Sequence, residues 1–330
     1  MNTMRRRFLR HSAAALACAG LVGPRIARAQ VPIDTLRIVV GFAAGGTADL
    51  LARSVAEALR GSHARTTLVD NKPGAGGQLA ILAVRGAPAD GSTLLLTPSS
   101  MLTIFPHTYK QLQYDPVKDV VPVSLASVFD LAFAVGPLVD ASVGTLQEFL
   151  AWARAHPESA GYGSPAAGSS PHFVGEMLSR AGSANLRHVP YRGSQLAVLD
   201  LSSGQVAAVS APLGDLLPHL PAGRIRLLAV CGTRRSRFAP QVPTFVEQGL
   251  KDIVADGWFG FYLPGAASPE TAQRANAALR AALAKPSMVD EFAQMGLEVS
   301  GSSPAELAGL QRRDSERWAG VVKAVGFTAI

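Results

Sequence analysis

Short apolar runs alternate along the chain with longer segments in which apolar residues recur every three or four positions. Leu36–Val40 is rich in β-branched residues and ends at Gly41, which predicts a strand. Thr47–Leu59 carries leucine and valine at helical spacing and precedes the stop signal Gly61. Three further segments continue as strand, helix and strand: Thr66–Val69, Gly76–Arg85 and Thr93–Thr97. This βαβαβ order predicts a parallel sheet covered by helices.

The alternation resumes in the second half of the chain. Thr145 and Glu148 form a capping box that opens a helix, and Ser170 and Pro171 suit the N-cap and first position of another. The same patterns predict strands Leu186–Pro190, Val206–Ser210 and Ile225–Val230, and helices Ser194–Leu201, Ser268–Ala284 and Ser303–Trp318. Two α/β units followed by a helical tail predict two lobes with a cleft between them.

Ligands of open α/β sheets bind beyond the carboxyl ends of the strands, at helix N-termini. The loops expected to meet a ligand are Gly41–Asp49, Thr97–Met101, Ala160–His172 and Val189–Ser194. Free backbone N–H groups at such glycine-rich strand-to-helix loops favour a carboxylate or a phosphate. Thr47 stands where a Walker loop needs lysine, so the first loop does not predict ATP binding.

Charge is distributed unevenly along the chain. The whole chain has 31 Lys and Arg against 24 Asp and Glu, a net charge of +7, but six arginines and no acidic residue lie in residues 1–29. That segment combines the twin-arginine pattern Arg5–Arg10, the short apolar run Ala13–Val22 and the cleavage motif Ala27-Arg28-Ala29. It predicts an export signal cleaved after Ala29, a periplasmic location and a nearly neutral mature chain with no nucleic-acid partner.

Catalytic and metal-binding patterns are weak. Ser164 and Ser170 lack a G-x-S-x-G context, so a secreted serine hydrolase stays an alternative that requires a Ser–His–Asp cluster in the fold. His172 and Glu176 are one helical turn apart and form at most half of a metal site. Of the two cysteines, Cys18 leaves with the signal and Cys231 is expected to be a buried free thiol. The sequence therefore predicts a binding protein with no cofactor, no metal and no catalytic residue.

Several short motifs follow one another in a characteristic order across the mature chain. They include Gly45-Gly46, Asp49–Arg53, Asp70–Gly77, Ala89–Leu96, Tyr114–Asp119, Ser169–His172, His188–Gly193, Val242–Thr244 and Trp258–Gly260. In this order they resemble the substrate-binding proteins of tripartite tricarboxylate transporters, the Bug family. The resemblance implies an α/β, type II periplasmic-binding-protein fold with two lobes around a central ligand cleft. Lobe one would comprise residues 30–130 plus 235–330, and lobe two residues 131–234.

The resemblance also implies the function and its residues. Such a protein, expected to be a monomer, captures a small carboxylate (a di- or tricarboxylate, an amino acid or an aromatic acid) by hinge closure and delivers it to membrane subunits. A sensor that presents its closed form to a receptor uses the same closure and stays an alternative. The implied ligand-binding residues are Gly45, Gly46, Thr47 and Asp49, facing Ser164, Gly168, Ser169, Ser170 and His172, with Ser99, Ser100 and Asp130 as further candidates.

Two departures from the family pattern bear on the ligand. Thr47 and Ala48 stand where the family often has glycine and threonine, so one hydroxyl is shifted or lost. Ala207–Ala211 replaces the acidic and polar residues that usually follow the strand of lobe two, which predicts a more apolar cleft wall. We therefore expect a monocarboxylate with an apolar or aromatic body rather than citrate.

Overall fold

A computed structural model describes residues 33–328. The predicted export signal, its cleavage site and Cys18 lie outside the described residues. The strands are β1 Ile33–Val40, β2 Ala64–Asn71, β3 Thr93–Pro98, β4 Val120–Val135, β5 Gly161–Ser164, β6 Arg187–Pro190, β7 Ala208–Pro212, β8 Arg226–Val230, β9 Asp256–Pro264 and β10 Leu297–Val299. The α-helices are α1 Thr47–Leu59, α2 Gln78–Arg85, α3 Ser100–Thr103, α4 Phe105–Thr108, α5 Leu146–Ala155, α6 Ser170–Gly182, α7 Ser194–Ser203, α8 Leu213–Leu216, α9 Pro269–Leu283, α10 Pro286–Gln294 and α11 Pro304–Val325. Short 3-10 helices cover Ala75–Gly77 and Leu217–Ala222.

The first unit is the predicted parallel βαβαβ arrangement. Strand β1 pairs in parallel with β2 on one side and β3 on the other. Helix α1 has the predicted bounds and buries Leu51, Val55 and Leu59 against this sheet. The second predicted helix starts later than expected, because the chain passes through the 3-10 turn before α2 begins. The hydrophobic pattern therefore predicted the elements of this unit and their order, but it made β1 and β2 shorter than they are.

Strand β4 connects two groups of strands. From Val120 to Asp130 it pairs antiparallel with β9, which in turn pairs with β3. From Leu131 to Val135 it pairs with β7 and β8 instead. The sequence did not single out β4 or β9 as strands. Strand β4 changes partners between residues 130 and 131, where the sequence predicts the lobe boundary. That the two lobes move as separate bodies stays a prediction.

The second unit repeats the parallel arrangement. Strand β5 lies between β6 and β7 and is parallel to both. The capping box at Thr145 and Glu148 is present at the start of α5, as predicted. A second predicted capping box, at Ser303 and Glu306, opens α11, which is longer than the pattern indicated and ends at Val325.

The chain returns from the second unit to the first through Cys231. Its backbone N–H donates to the carbonyl of Leu131, and its own carbonyl accepts from Ala255, at 2.9 Å in each case. The thiol is free and fully buried, as predicted, and burial raises its pKa well above the ordinary value. Between residues 33 and 328, no helix combines the length and apolar character that crossing a membrane requires.

Candidate functional site

A cleft lies where the carboxyl ends of the strands of both units meet. Loops that follow β1, β3, β5, β6 and β7 all contribute lining residues, which is the position that open α/β sheets give to ligands. The empty space inside the cleft is about 60 Å³, so its two sides lie close together. Its walls are largely apolar, with Phe42, Phe105, Phe129 and Phe259 among the lining residues. These walls suit the apolar body of a small organic ligand.

Three long helices start at the cleft, and none is capped by the side chain of its own N-cap residue. Their N-cap residues are Gly46 for α1, Ser169 for α6 and Gly193 for α7. Side chains from elsewhere accept from the first N–H groups of α1 and α6, namely Asp215 and Ser100. The backbone N–H groups of Ser194 and Gln195, in the first turn of α7, have no acceptor among residues 33–328. Because helix N-termini carry partial positive charge, their convergence on one cleft favours an anionic group there.

Ser170 was predicted to be the N-cap of its helix, but it is not. The N-cap of α6 is Ser169, whose hydroxyl donates to the carbonyl of Ala166 at 2.7 Å rather than accepting from the first turn. Ser170 is the first helical residue, and its backbone N–H donates to the hydroxyl of Ser100 at 3.1 Å. The two hydroxyl oxygens are 3.2 Å apart. This pair joins the loop after β3 to the loop after β5 across the cleft.

Asp49 shapes the first loop from within the protein. Its carboxylate accepts from the backbone N–H of Gly45, from the guanidinium of Arg53 and from the amide of Asn71, at 2.9 Å in each case. Burial opposes ionisation of Asp49, but these three donors outweigh it and hold its pKa below the ordinary value. Gly45 has φ +89°, a conformation that suits glycine, so the carboxylate and the glycine together fix the turn before α1.

Asp215 carries a charge into the cleft that the sequence patterns did not reveal. It follows β7, is 5% exposed and lines the cleft. Its Oδ1 accepts from the backbone N–H of Thr47 at 2.8 Å and from the Thr47 hydroxyl at 2.6 Å. Strong donors at the start of α1 are therefore already used by the protein's own carboxylate.

Ser164 and His172 belong to a side-chain cluster that does not line the cleft. The Ser164 hydroxyl is 2.7 Å from Nε2 of His188, and the His188 ring stacks on His172 with centroids 3.6 Å apart. Burial, with a further contribution from His172, lowers the pKa of His188 to about 3. The carboxylate of this cluster, Glu176, lies beside His172, 3.6 Å from its Nε2. The Ser–His–Asp arrangement that a hydrolase requires is not formed here.

The predicted site residues divide into two groups. The cleft is lined by Gly46, Thr47, Ser100, Ser169 and Ser170. The others do not line it: Gly45, Asp49, Ser99, Asp130, Ser164, Gly168 and His172. Gly168 donates its backbone N–H to Nδ1 of His172 at 2.9 Å, so these two support the serine-rich loop. Asp130 opens instead on a separate crevice beside Cys231.

The expected apolar wall is present but is built from other residues. Ala207–Ala211 was predicted to form it; these residues are fully buried in and beside β7, and none of them lines the cleft. That location was wrong, because a strand in the middle of the second unit is covered on both faces. The phenylalanines supply the apolar wall instead. Arg192, an exposed residue at the mouth of the cleft, was also missed, although its loop had been singled out.

Comparison with known proteins identifies the family. Residues 51–327 match the family described as "Tripartite tricarboxylate transporter family receptor". The chain belongs to this receptor family. The protein BugT of Bordetella pertussis is 31% identical over 312 residues, which is 94% of this chain and 95% of BugT.

Solved structures agree with the family and define the fold. The periplasmic binding protein BugD has a TM-score of 0.85 at 27% identity, covering 91% of this chain and all of BugD. A Rhodopseudomonas palustris protein solved with adipate has a TM-score of 0.85 at 29% identity, covering 91% of this chain and 99% of that protein. The tricarboxylate-receptor chain therefore has the two-lobe α/β fold of periplasmic binding proteins, a non-enzymatic type of protein.

No metal site is apparent in the described part of this receptor. Among residues 33–328, no three His, Cys, Asp or Glu side chains come together in a way that could hold a metal ion. His172 and Glu176, which the sequence offered as at most half of a metal site, contact protein groups instead. Glu176 lies beside His172 and accepts a hydrogen bond from the hydroxyl of Tyr162 at 3.0 Å.

Proposed function

We propose that this protein is a periplasmic solute receptor that captures a small carboxylate and delivers it to the membrane subunits of a tripartite transporter. The observation that carries the proposal is the free N-terminus of α7, which lies beside Arg192 in a largely apolar cleft where α1 and α6 also begin. A carboxylate accepts hydrogen bonds from such backbone N–H groups and is favoured by the helix dipoles. The adipate held by the Rhodopseudomonas palustris relative supports this ligand class.

Arg192 supplies the side-chain charge that the proposal needs. Among residues 33–328 it has no ion-pair partner, and it lines the cleft next to the uncapped start of α7. A carboxylate at the α7 N-terminus would therefore meet the N–H groups of Ser194 and Gln195 together with one guanidinium. Hydrogen bonds between charged groups of this kind contribute about 1.5–3 kcal/mol when they are not fully solvated.

Hinge closure is part of the proposal. The chain passes between the two units at Asp130–Leu131, where β4 changes partners, and again at Cys231. Two contacts join the units across the cleft, between Ser100 and Ser170 and between Thr47 and Asp215. Small rotations at the crossings would open these contacts and admit a ligand, as in other hinged binding proteins. Export with cleavage after Ala29, and action as a monomer, belong to the same proposal.

A thermal-shift screen of mono-, di- and tricarboxylates on residues 30–330 tests the proposal. A ligand present at 100 times its dissociation constant should stabilise the protein by about 2.7 kcal/mol. R192Q should weaken the binding of each ligand about 5- to 30-fold. R224Q is the matched control, because Arg224 is also an exposed arginine without an ion pair among the described residues but lies away from the cleft. The proposal fails if no carboxylate raises the melting temperature, or if the two variants weaken binding equally.

A further inference from the structure

Asp215 places a fixed negative charge inside a cleft that is otherwise suited to an anion. The side chain is 5% exposed, and both of its hydrogen bonds from Thr47 end on Oδ1. Its Oδ2 has no hydrogen-bond donor among residues 33–328. This oxygen is not among the fully buried atoms that lack a partner, so it is open to the cleft and can accept a hydrogen bond there. The donor that completes this carboxylate must then come from the ligand or from water.

The position of Asp215 determines what the start of α1 can hold. A Cβ built at Gly46, the N-cap residue, would lie 3.7 Å from Oδ1 of Asp215, so the carboxylate sits directly at this helix end. A ligand carboxylate placed here would either stand beside a like charge or displace Asp215 from both Thr47 donors. The second route leaves a nearly buried carboxylate without its partners, which is unfavourable. The α1 end of the cleft therefore disfavours an anionic ligand group and favours a cationic one.

The other end of the cleft has the opposite character. Ser194 and Gln195 offer unpaired backbone N–H groups at the start of α7, and Arg192 lies just before them. Gln195 also approaches the α1 end, since its Cγ lies 3.6 Å from a Cβ built at Gly46. Gln195, in the first turn of α7, and the Asp215 carboxylate thus both lie beside Gly46 in the same cleft. Phenylalanine side chains line the space around them.

We propose that Asp215 makes this receptor selective for zwitterionic amino acids with an apolar body, and that it excludes dicarboxylates. The ligand carboxylate would bind at the α7 N-terminus and Arg192, while the ligand ammonium group donates to Oδ2 of Asp215. This inference rests on the proposed function, because it refines the ligand class of the same cleft. A receptor of this kind requires the amino group of its ligand, whereas a general carboxylate receptor does not.

Matched ligand pairs test the requirement for the amino group. Calorimetric titration of residues 30–330 compares leucine with 4-methylpentanoate and phenylalanine with 3-phenylpropanoate, with adipate as the dicarboxylate. Each pair keeps the carboxylate and the apolar body and differs in the ammonium group. The wild-type protein should bind the amino acid of at least one pair about tenfold or more tightly than its des-amino partner, because a paired buried charge is favoured over an unpaired one.

The D215N variant removes the charge of Asp215 while keeping the shape of its side chain. Asparagine retains an acceptor oxygen for Thr47, so the fold should be kept, and a melting curve verifies this. In D215N the preference for the amino acid should fall to about equal affinity within the pair. D290N is the matched control, because Asp290 is exposed on α10 and does not line the cleft; it should leave the preference unchanged.

The outcomes separate this inference from the proposed function. If adipate or a des-amino acid binds the wild-type protein as tightly as the amino acids do, the selectivity is wrong and the carboxylate receptor stands. The same conclusion follows if a folded D215N keeps the wild-type preference. If amino acids, des-amino acids and adipate all fail to bind the folded protein, the selectivity is wrong, and the thermal-shift screen of other carboxylates decides the proposed function.

Discussion

Asp49 shows at the scale of single residues how a charged side chain near a cleft can stabilise the loop rather than bind the ligand. Its carboxylate is 2% exposed and accepts three hydrogen bonds. D49A should lower the free energy of unfolding by about 1–3 kcal/mol, because the donors of Gly45, Arg53 and Asn71 lose their shared acceptor. Urea unfolding measures the change. D34A is the control: Asp34 is exposed and only weakly paired with Arg65, so its loss should change stability by less than about 0.5 kcal/mol.

His188 gives a pH prediction at the same scale. Its pKa of about 3 lies below the ordinary 6.5, so the folded state keeps the imidazole neutral while the unfolded chain takes up a proton as the pH falls below about 6.5. The stability contributed by neutral His188 is therefore complete above pH 6.5 and declines as the pH falls towards 3. The stability difference between the wild-type protein and H188Q should shrink between pH 7 and pH 5. A difference that stays constant or grows would contradict the assigned pKa shift.

Single residues were the hardest part to predict from the sequence. Gly46 and Thr47 follow a strand and open a helix, so the sequence could place them at the cleft. Asp215 sits in no motif and reaches Thr47 across 168 positions of sequence, so only the fold brings the two together. Of the side-chain partners of Asp49, Arg53 follows four residues later in the same helix, which is a spacing that the local sequence shows. Asn71 lies in β2, and only the fold brings it to Asp49.

At the scale of the helix, close packing against a neighbouring strand explains why position 175 is a glycine. A Cβ at Gly175 in α6 would lie 2.0 Å from the ring of Tyr162 in β5, whereas a Cβ at Gly320 in α11 would meet nothing within 4 Å. G175A should therefore destabilise the protein by about 1–3 kcal/mol or more through overpacking. G320A should stabilise it by about 0.5–1 kcal/mol, because alanine is the better helix former. Thermal unfolding of the two variants measures both effects, and a G175A as stable as G320A would contradict the packing described here.

Elements with a clear period or cap were predictable, and those without were not. Helix α1 and the capping boxes of α5 and α11 have signals that act within a few residues. Strand β4 is a nearly continuous apolar run of 16 residues that includes Pro122. Its polar residues, Ser124, Ser127 and Asp130, recur every third position, which is closer to a helical than to an alternating period, so periodicity does not predict a strand here. Its role depends on pairing with β9, more than 100 positions away along the chain.

At the scale of the whole molecule, a contact between Ser100 and Ser170 joins the two units across the cleft, and a disulfide at this position can test the proposed hinge closure. The hydroxyls of Ser100 and Ser170 are 3.2 Å apart, about 1 Å more than the ~2 Å sulfur–sulfur bond of a disulfide. The double variant S100C/S170C should therefore form a disulfide under mild oxidation and hold the units together. The oxidised protein should neither take up nor release ligand, and reduction should restore both. The single variant S100C is the control, and unchanged ligand uptake by the fully cross-linked protein would contradict hinge closure.

The central claim is that a ligand carboxylate binds at helix N-termini in the cleft, and the position of the bound ligand tests it most directly. A crystal structure of residues 30–330 with a carboxylate selected by titration reports where the anion lies in the molecule. We predict that a carboxylate oxygen of the ligand lies within about 3.2 Å of a first-turn backbone N–H group of α6 or α7, the ordinary hydrogen-bond distance. A carboxylate bound outside this cleft, for instance in the crevice beside Asp130 and Cys231, with the cleft itself unoccupied, would contradict the account.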